Sequence, residues 1–256
     1  MSKLQFHQFP IRTDNYGVLV YDPKSGNCAS IDAPNEDVIL AELAKTGWQL
    51  SHIFVTHWHL DHVEGIAGLK SRFDCHVVGP KKEADKINDL DETLDDGDEF
   101  KFGNDTVRVI ATPGHTLGMI NFYFVENNTI FTGDTLFALG CGRLFEGDGA
   151  MMWNSMQKLA ALPRETVVYC GHEYTLANGR FALSIDPDNE KLQARMKIIT
   201  TLRKQGKPTL PTTIGEELDT NPFMRPGDSA IRQHLAMGDA SDEAVFTEIR
   251  TRKDNA

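Results

Sequence analysis

Between residues 4 and 169 short apolar runs alternate with turn residues and a few stretches of helical period, the pattern of sheets covered by helices rather than of an all-α or all-β chain. Strands are expected at 4–9, 17–21, 28–31, 52–56, 75–78, 106–111, 120–124, 129–132 and 166–170. The clearest helix covers 36–46. Asn35 is placed to cap it, acids occupy its first turn, Val38, Ile39 and Leu43 share a face, and Gly47 closes it. After Tyr174 the texture becomes helical, with helices expected at 175–185, 189–205, 229–237 and 242–253, joined by loops carrying Pro187, Pro208, Pro211, Pro222 and Pro226. Two parts follow: a mixed α/β domain at 1–173 and a helical domain at 174–256. No fixed-period repeat or low-complexity linker separates them, so direct packing is expected.

Composition narrows the setting. At 256 residues and 40% hydrophobic content the chain can bury a sizeable core. The first ten residues contain no apolar stretch of signal-peptide type and no later run is long enough to span a bilayer, so a cytoplasmic location is expected. Cys28, Cys75, Cys141 and Cys170 are scattered without Cys-x-x-Cys spacing, which points to reduced, mostly core thiols. With 37 acidic against 26 basic side chains, the field of the molecule repels nucleic acid and anionic membranes. An anionic substrate therefore needs a local basic patch.

The candidate chemistry is concentrated in Thr56-His57-Trp58-His59-Leu60-Asp61-His62, which follows an apolar strand and precedes a stretch, 63–69, able to begin a helix. In an extended turn, residues two apart project to one side, so His57 and His59 can reach one ion while Asp61 and His62 reach another. His7, His52, His76 and His234 are expected to be ordinary core or surface residues. Four such groups clustered together, by contrast, bring no physical benefit without a metal. Three further apolar strands end in a glycine followed by a ligand type: Gly114-His115, Gly133-Asp134 and Gly171-His172. Each glycine removes a Cβ where the backbone must turn sharply beside a crowded site. Ligands gathered at one sheet edge form a site without further assumption.

Seven ligands exceed what one tetrahedral zinc uses, so two ions are expected. His57, His59 and His115 are assigned to the first, Asp61, His62 and His172 to the second, with Asp134 bridging both. Imidazole-rich ligation suits zinc, while the carboxylates also admit iron or manganese. Paired ions about 3.5–4 Å apart share a hydroxide and polarise the bond under attack, and they lower the pKa of a water from ~15.7 to about 7. Hydrolysis is the expected chemistry, with Asp61 and Asp134 at its centre. No Gly-x-Ser-x-Gly elbow and no Cys–His nucleophile signature compete.

The order His57-x-His59-x-Asp61-His62, His115, Asp134, His172 resembles the metallo-β-lactamase superfamily across residues 1–173. The resemblance implies an αββα sandwich with metals at one edge. Thr13-Asp-Asn-Tyr16, Thr112-Pro-Gly-His-Thr-Leu-Gly118, Phe131-Thr-Gly-Asp-Thr-Leu-Phe137, Gly140-Cys-Gly-Arg-Leu-Phe-Glu-Gly147 and Cys170-Gly-His-Glu-Tyr-Thr175 narrow it to the hydroxyacylglutathione hydrolases, or glyoxalase II enzymes. Asn221-Pro-Phe-Met-Arg225 and Arg250-Thr-Arg-Lys-Asp254 carry the likeness through the helical part.

What the resemblance implies is hydrolysis of S-D-lactoylglutathione and related S-2-hydroxyacylglutathiones, the second step of methylglyoxal detoxification, by attack of a metal-bridging hydroxide on the thioester carbonyl. Glutathione and D-lactate are the products, and a monomer is expected. It also implies substrate contacts from Arg250 and Lys253 to the glycyl carboxylate of glutathione, and further ones from Tyr174 and Arg143. Some members carry Lys and Tyr where this chain has Arg143 and Phe145, so the cation is kept and a hydroxyl contact is missing.

A persulfide dioxygenase using one iron, or a lactonase, would also suit this scaffold; the helical tail and the glutathione-contact motifs favour the thioester hydrolase over both. Phosphodiesterase or RNA-processing chemistry lacks a basic nucleic-acid surface. A non-catalytic metal-binding module predicts lost ligands, whereas all seven are present.

Overall fold

The structure, a computed structural model, describes residues 3–256. It forms two compact units, one ending at Ala111 and resuming over Leu117–Gly133, the other made of Thr112–Thr116 and Asp134–Ala256.

The first unit is layered. Its larger sheet runs in spatial order β1 (Gln5–Ile11), β2 (Asn15–Tyr21), β3 (Cys28–Ile31), β4 (His52–Phe54), β5 (His76–Pro80) and β6 (Glu92–Leu94). The first three strands pair antiparallel, whereas β3 to β6 are parallel. Parallel neighbours need crossovers. Between β3 and β4 this is α1 (Glu36–Thr46), and between β4 and β5 it is α2 (Leu60–Val63) followed by α3 (Ile66–Phe73). A second set of strands, β7 (Glu99–Phe102), β8 (Asp105–Ala111), β9 (Ile120–Phe124) and β10 (Thr129–Phe131), is antiparallel throughout.

Alternation along β4 shows how the layers are held. Ile53 lies in the cluster that includes Ile39 and Leu43 of α1 and Ile66 and Leu69 of α3. Phe54 points the other way, its ring 5.2 Å from Phe100, 5.5 Å from Phe102 and 5.3 Å from Phe122. Full burial of each such ring stabilises the fold by about 1.5–3 kcal/mol relative to exposure. Helix α1 has the expected ends: the Asn35 side chain accepts from the Val38 amide at 3.1 Å, and Gly47 stops it at φ 73°. Strand β4 stops two residues short of its expected end because the Thr56 amide donates to the Asp32 carboxylate, at 2.7 Å, instead of to a neighbouring strand.

The second unit begins with a hairpin of β11 (Leu136–Phe137) and β12 (Gly140–Cys141), followed by α4 (Gly149–Ala160) and β13 (Val167–Tyr169). Helices α5 (Thr175–Ile185) and α6 (Glu190–Lys204) come next, and then β14 (Thr212–Thr213), which pairs with β13. Helices α7 (Ile214–Thr220), α8 (Ser229–His234) and α9 (Asp242–Asp254) complete it. Helix α4 is not among the helices expected from sequence, although alanine, methionine, glutamine, lysine and leucine give most of it good helix propensity; Asp148 caps it and Met152, Met156 and Leu159 are buried on one face.

Glu217 ties the hairpin to the helices. Fully buried, it accepts from Arg195 Nη2 at 2.6 Å, Thr212 Oγ1 at 2.7 Å, the Leu139 amide at 2.8 Å and Asn221 Nδ2 at 3.0 Å. The same Asn221 amide donates to the Phe137 and Gly140 carbonyls, so the β11–β12 turn is fixed from the helical side. All four cysteines are buried free thiols, as expected; burial pushes Cys28 and Cys170 up to about 12 and Cys141 up to about 11. Among the described residues no helix is long and apolar enough to cross a membrane.

Candidate metal centre

The first unit supplies His57, His59, Asp61 and His62 from the segment that follows the C-terminal end of the parallel strand β4. That is where open α/β sheets place their ligands. Only the first part of the segment is extended. His57 Nε2 lies 3.1 Å from His59 Nδ1, so these two project together as expected, but Asp61 and His62 sit on the single turn of α2. His62 Nε2 is 3.5 Å from Asp61 Oδ2.

Hydrogen bonding prepares these rings for a cation. His62 Nδ1 donates to Asp32 Oδ2 at 2.7 Å. The Thr56 hydroxyl donates to the same Asp32 carboxylate and therefore accepts, at 3.0 Å, from His57 Nδ1. In each ring the proton stands on Nδ1 and the lone pair on Nε2, which leaves Nε2 free to bind a metal. Asp32 is buried and adopts the left-handed conformation, φ 56°, that Asp and Asn tolerate better than most residues. Asn15 Nδ2 donates to Asp61 Oδ2 at 2.9 Å, and buried Glu83 accepts from the Trp58 and Gly118 amides, each at 2.9 Å. The turn is held from both ends.

The second unit supplies His115, Asp134 and His172. Asp134 Oδ2 is 3.5 Å from His115 Nε2 and 3.2 Å from His172 Nε2, so one carboxylate oxygen is shared by two imidazoles. His115 Nδ1 donates to the Arg143 carbonyl at 2.8 Å, again leaving the lone pair on Nε2. Gly114 lies at φ 152° and a Cβ there would meet the Met152 side chain at 2.9 Å; Gly133 lies at φ 45°, where a Cβ would meet Thr56 Oγ1 at 2.8 Å. Both glycines are therefore required, as expected.

Two ligand atoms at ~2.0–2.1 Å from a tetrahedral ion stand about 3.3 Å apart. The separations within each unit, 3.1 and 3.5 Å in the first and 3.5 and 3.2 Å in the second, are of that size. Buried imidazoles in the neutral tautomer beside carboxylates are a donor set that fits divalent cations. The other four histidines have structural partners: His7 pairs with Glu42, His52 with Ser51 and the Phe54 and Phe102 rings, His76 with Glu92, and His234 with the Ser184 carbonyl.

The residues expected to meet substrate all lie in the second unit. Tyr174 stacks on His172, with ring centroids 4.7 Å apart and planes 3° off parallel. Arg143 is exposed and its Nε lies 3.4 Å from Asp254 Oδ1. Phe145, also exposed, sets its ring edge-on to His115 at 5.2 Å. Arg250 is only 5% exposed, so it is no solvated surface charge. Its Nη1 donates to the Cys141 carbonyl and its Nη2 to Asp254 Oδ1, each at 2.9 Å. Lys253 rests its ammonium over Phe181 at 5.1 Å; half-burial, reinforced by Arg250, lowers its pKa. Asp32, Glu83 and Asp254 were not singled out from sequence. Asp32 offered one signal, a carboxylate ending the apolar run of β3; Glu83 offered none, because its amide partners lie 25 and 35 residues away.

Comparison with known proteins gives two matches that together account for nearly all of the chain. Residues 11–172 match the family model described as the metallo-beta-lactamase superfamily, and residues 173–256 the one described as hydroxyacylglutathione hydrolase C-terminus. A protein of Rhizobium etli named hydroxyacylglutathione hydrolase is 56% identical over 255 residues, covering 100% of both chains. Its namesake from Brucella abortus is 55% identical over 253 residues, 99% of this chain and 98% of that one. Among solved structures, ETHE1 from Myxococcus xanthus has a TM-score of 0.70 at 26% identity, covering 96% of this chain and 90% of its own. TTHA1623 in a di-iron-bound form has a TM-score of 0.62 at 26% identity, with 84% and 99% covered.

Proposed function

The chain belongs to the hydroxyacylglutathione hydrolase family of the metallo-β-lactamase superfamily, and from that premise we propose that it hydrolyses S-D-lactoylglutathione and related S-2-hydroxyacylglutathiones, releasing glutathione and, from the lactoyl substrate, D-lactate. It is a metal-dependent thioester hydrolase with an α/β metallo-β-lactamase domain and a C-terminal helical domain. We place the boundary between them at residues 173 and 174.

The observation that carries the metal assignment is the sharing of Asp134 Oδ2 by His115 and His172, alongside rings whose Nδ1 protons are already committed elsewhere. On this assignment His57, His59 and His115 would hold one ion and Asp61, His62 and His172 the other, with Asp134 serving as a ligand to both. Two divalent ions bound there supply a water whose pKa falls from ~15.7 to about 7, together with polarisation of the thioester carbonyl. Asp61, oriented by Asn15, and Asp134 balance the added positive charge. The glutathione thiolate is a good leaving group, so the chain's remaining task is to bind and orient the tripeptide. Arg250 and Lys253 take the glycyl carboxylate, and Arg143 and Tyr174 make further contacts. Zinc is the ion we assign; iron, present in TTHA1623, and manganese are the other outcomes of metal analysis. A cytoplasmic monomer without nucleic-acid partners completes the reading.

Purified protein is expected to hydrolyse S-D-lactoylglutathione while carrying about two metal ions per chain. Full metal loading with no hydrolysis of any S-2-hydroxyacylglutathione would refute the substrate. Arg250→Ala and Lys253→Ala are expected to raise KM about tenfold or more, the worth of a lost charge-assisted hydrogen bond, and to change kcat less. Unchanged constants in both variants would remove the helical tail from the substrate site.

A further inference from the structure

Asp254, the last residue of α9, sits among cations. Its Oδ1 accepts from Arg250 Nη2 at 2.9 Å and lies 3.4 Å from Arg143 Nε, and Lys253 precedes it in the chain. The Arg250 side chain is 6% exposed, lies over the Phe223 ring at 5.3 Å and has a buried Nε with no hydrogen-bond acceptor. A guanidinium offers five donors in a fixed fork. The two residues that accept from it, Cys141 and Asp254, differ in kind. The Cys141 carbonyl belongs to β12, whose neighbour Gly140 is pinned by Asn221, so it stays. The Asp254 carboxylate is 36% exposed, hangs on a short side chain at a helix end and can rotate away.

The geometry is therefore that of an anion site with an anion already in it. Two guanidinium groups face one carboxylate, and the more buried of them, Arg250, meets its exchangeable partner on the solvent side. An unpaired buried guanidinium is costly, so the site needs some carboxylate at all times. Replacing one carboxylate by another keeps that charge satisfied. The affinity gained is then the difference between two similar charge-assisted pairs rather than the full value of one.

We propose that Asp254 is an internal stand-in for the substrate's terminal carboxylate: it holds Arg250 and Arg143 in the resting enzyme and surrenders them to an incoming carboxylate, thereby setting KM. This inference rests on the reading of Arg250 as a substrate contact. A thioester lacking the terminal negative charge cannot make the exchange, so Asp254 selects for free-acid tripeptides. It acts as a positioning residue and takes no part in the bond cleavage.

The test compares Asp254→Asn and Asp254→Ala with the unmodified holoenzyme. Both variants are expected to lower KM for S-D-lactoylglutathione about two- to fivefold, the range that matches loss of a partly exposed competing ion pair, while kcat changes less. They are also expected to tighten competitive inhibition by S-methylglutathione but not by its glycyl methyl ester. A merely structural carboxylate would move acid and ester together. KM unchanged or raised in both variants, or equal tightening of acid and ester, overturns the proposal. Arg250→Ala in the same assay separates the two layers of argument. If it leaves KM unchanged the substrate reading itself is wrong, whereas if it raises KM and the Asp254 variants do not lower it, only the exchange is wrong. Metal content and circular dichroism on each variant establish that the proteins compared are folded and loaded.

Discussion

Replacing Asp134 by Ala is expected to reduce hydrolysis more than about a hundredfold and to lower the bound metal, since even partners that merely orient a ligand contribute 10–100-fold. The reason lies in one oxygen. Asp134 Oδ2 stands 3.5 Å from His115 Nε2 and 3.2 Å from His172 Nε2, so on the proposed assignment its loss would take a ligand from each ion at once. It also removes a negative charge from a place that receives two cations, leaving neutral rings to face them. Asp134→Asn, which keeps the shape and loses the charge, is expected to fall between wild type and Ala in metal content. Steady-state rates together with metal analysis on the same preparation decide the matter. Normal turnover with two metals retained in Asp134→Ala would sink the bridging assignment.

Asp32→Ala is expected to weaken metal retention or activity by about 10–100-fold without removing any proposed ligand. Asp32 accepts from His62 Nδ1 at 2.7 Å, from the Thr56 amide at 2.7 Å and from the Thr56 hydroxyl at 2.9 Å. The hydroxyl then fixes the His57 ring, so one buried carboxylate sets the tautomer of two histidines. Its removal strands buried donors at about 1–3 kcal/mol each, so the thermal midpoint should fall as well. The separation of the two effects comes from a chelator competition run well below the transition temperature. A variant that loses stability but holds metal as tightly as wild type against the chelator would reduce Asp32 to a structural residue.

Local rules made much of the architecture legible. Asn35, the acids of the first turn, the spacing of Ile39 and Leu43 and the terminal Gly47 all agreed on α1, and the helix has those ends. The dense His57–His62 segment and the glycine-ligand endings at His115 and Asp134 were readable because metal chemistry demands rare residue types in close order. Where local signals were weak or conflicted with packing, the reading missed. Helix α4 carries good propensity and an Asp148 cap but no clear apolar stripe apart from Met152, Met156 and Leu159, and the turn of α2 rotates Asp61 and His62 out of the extended register expected for them.

The sequence by itself thus determined the fold class, the proposed ligands and the cations of the helical tail, since each follows from composition over a few neighbouring residues. Tertiary structure alone decided how those groups are held. Asp32 reaches His62 across 30 residues, and the Cys141 carbonyl meets Arg250 across 109. Nothing in a linear pattern specifies such pairs, because they arise when buried polar atoms are forced to find partners among whatever the packed layers bring near them.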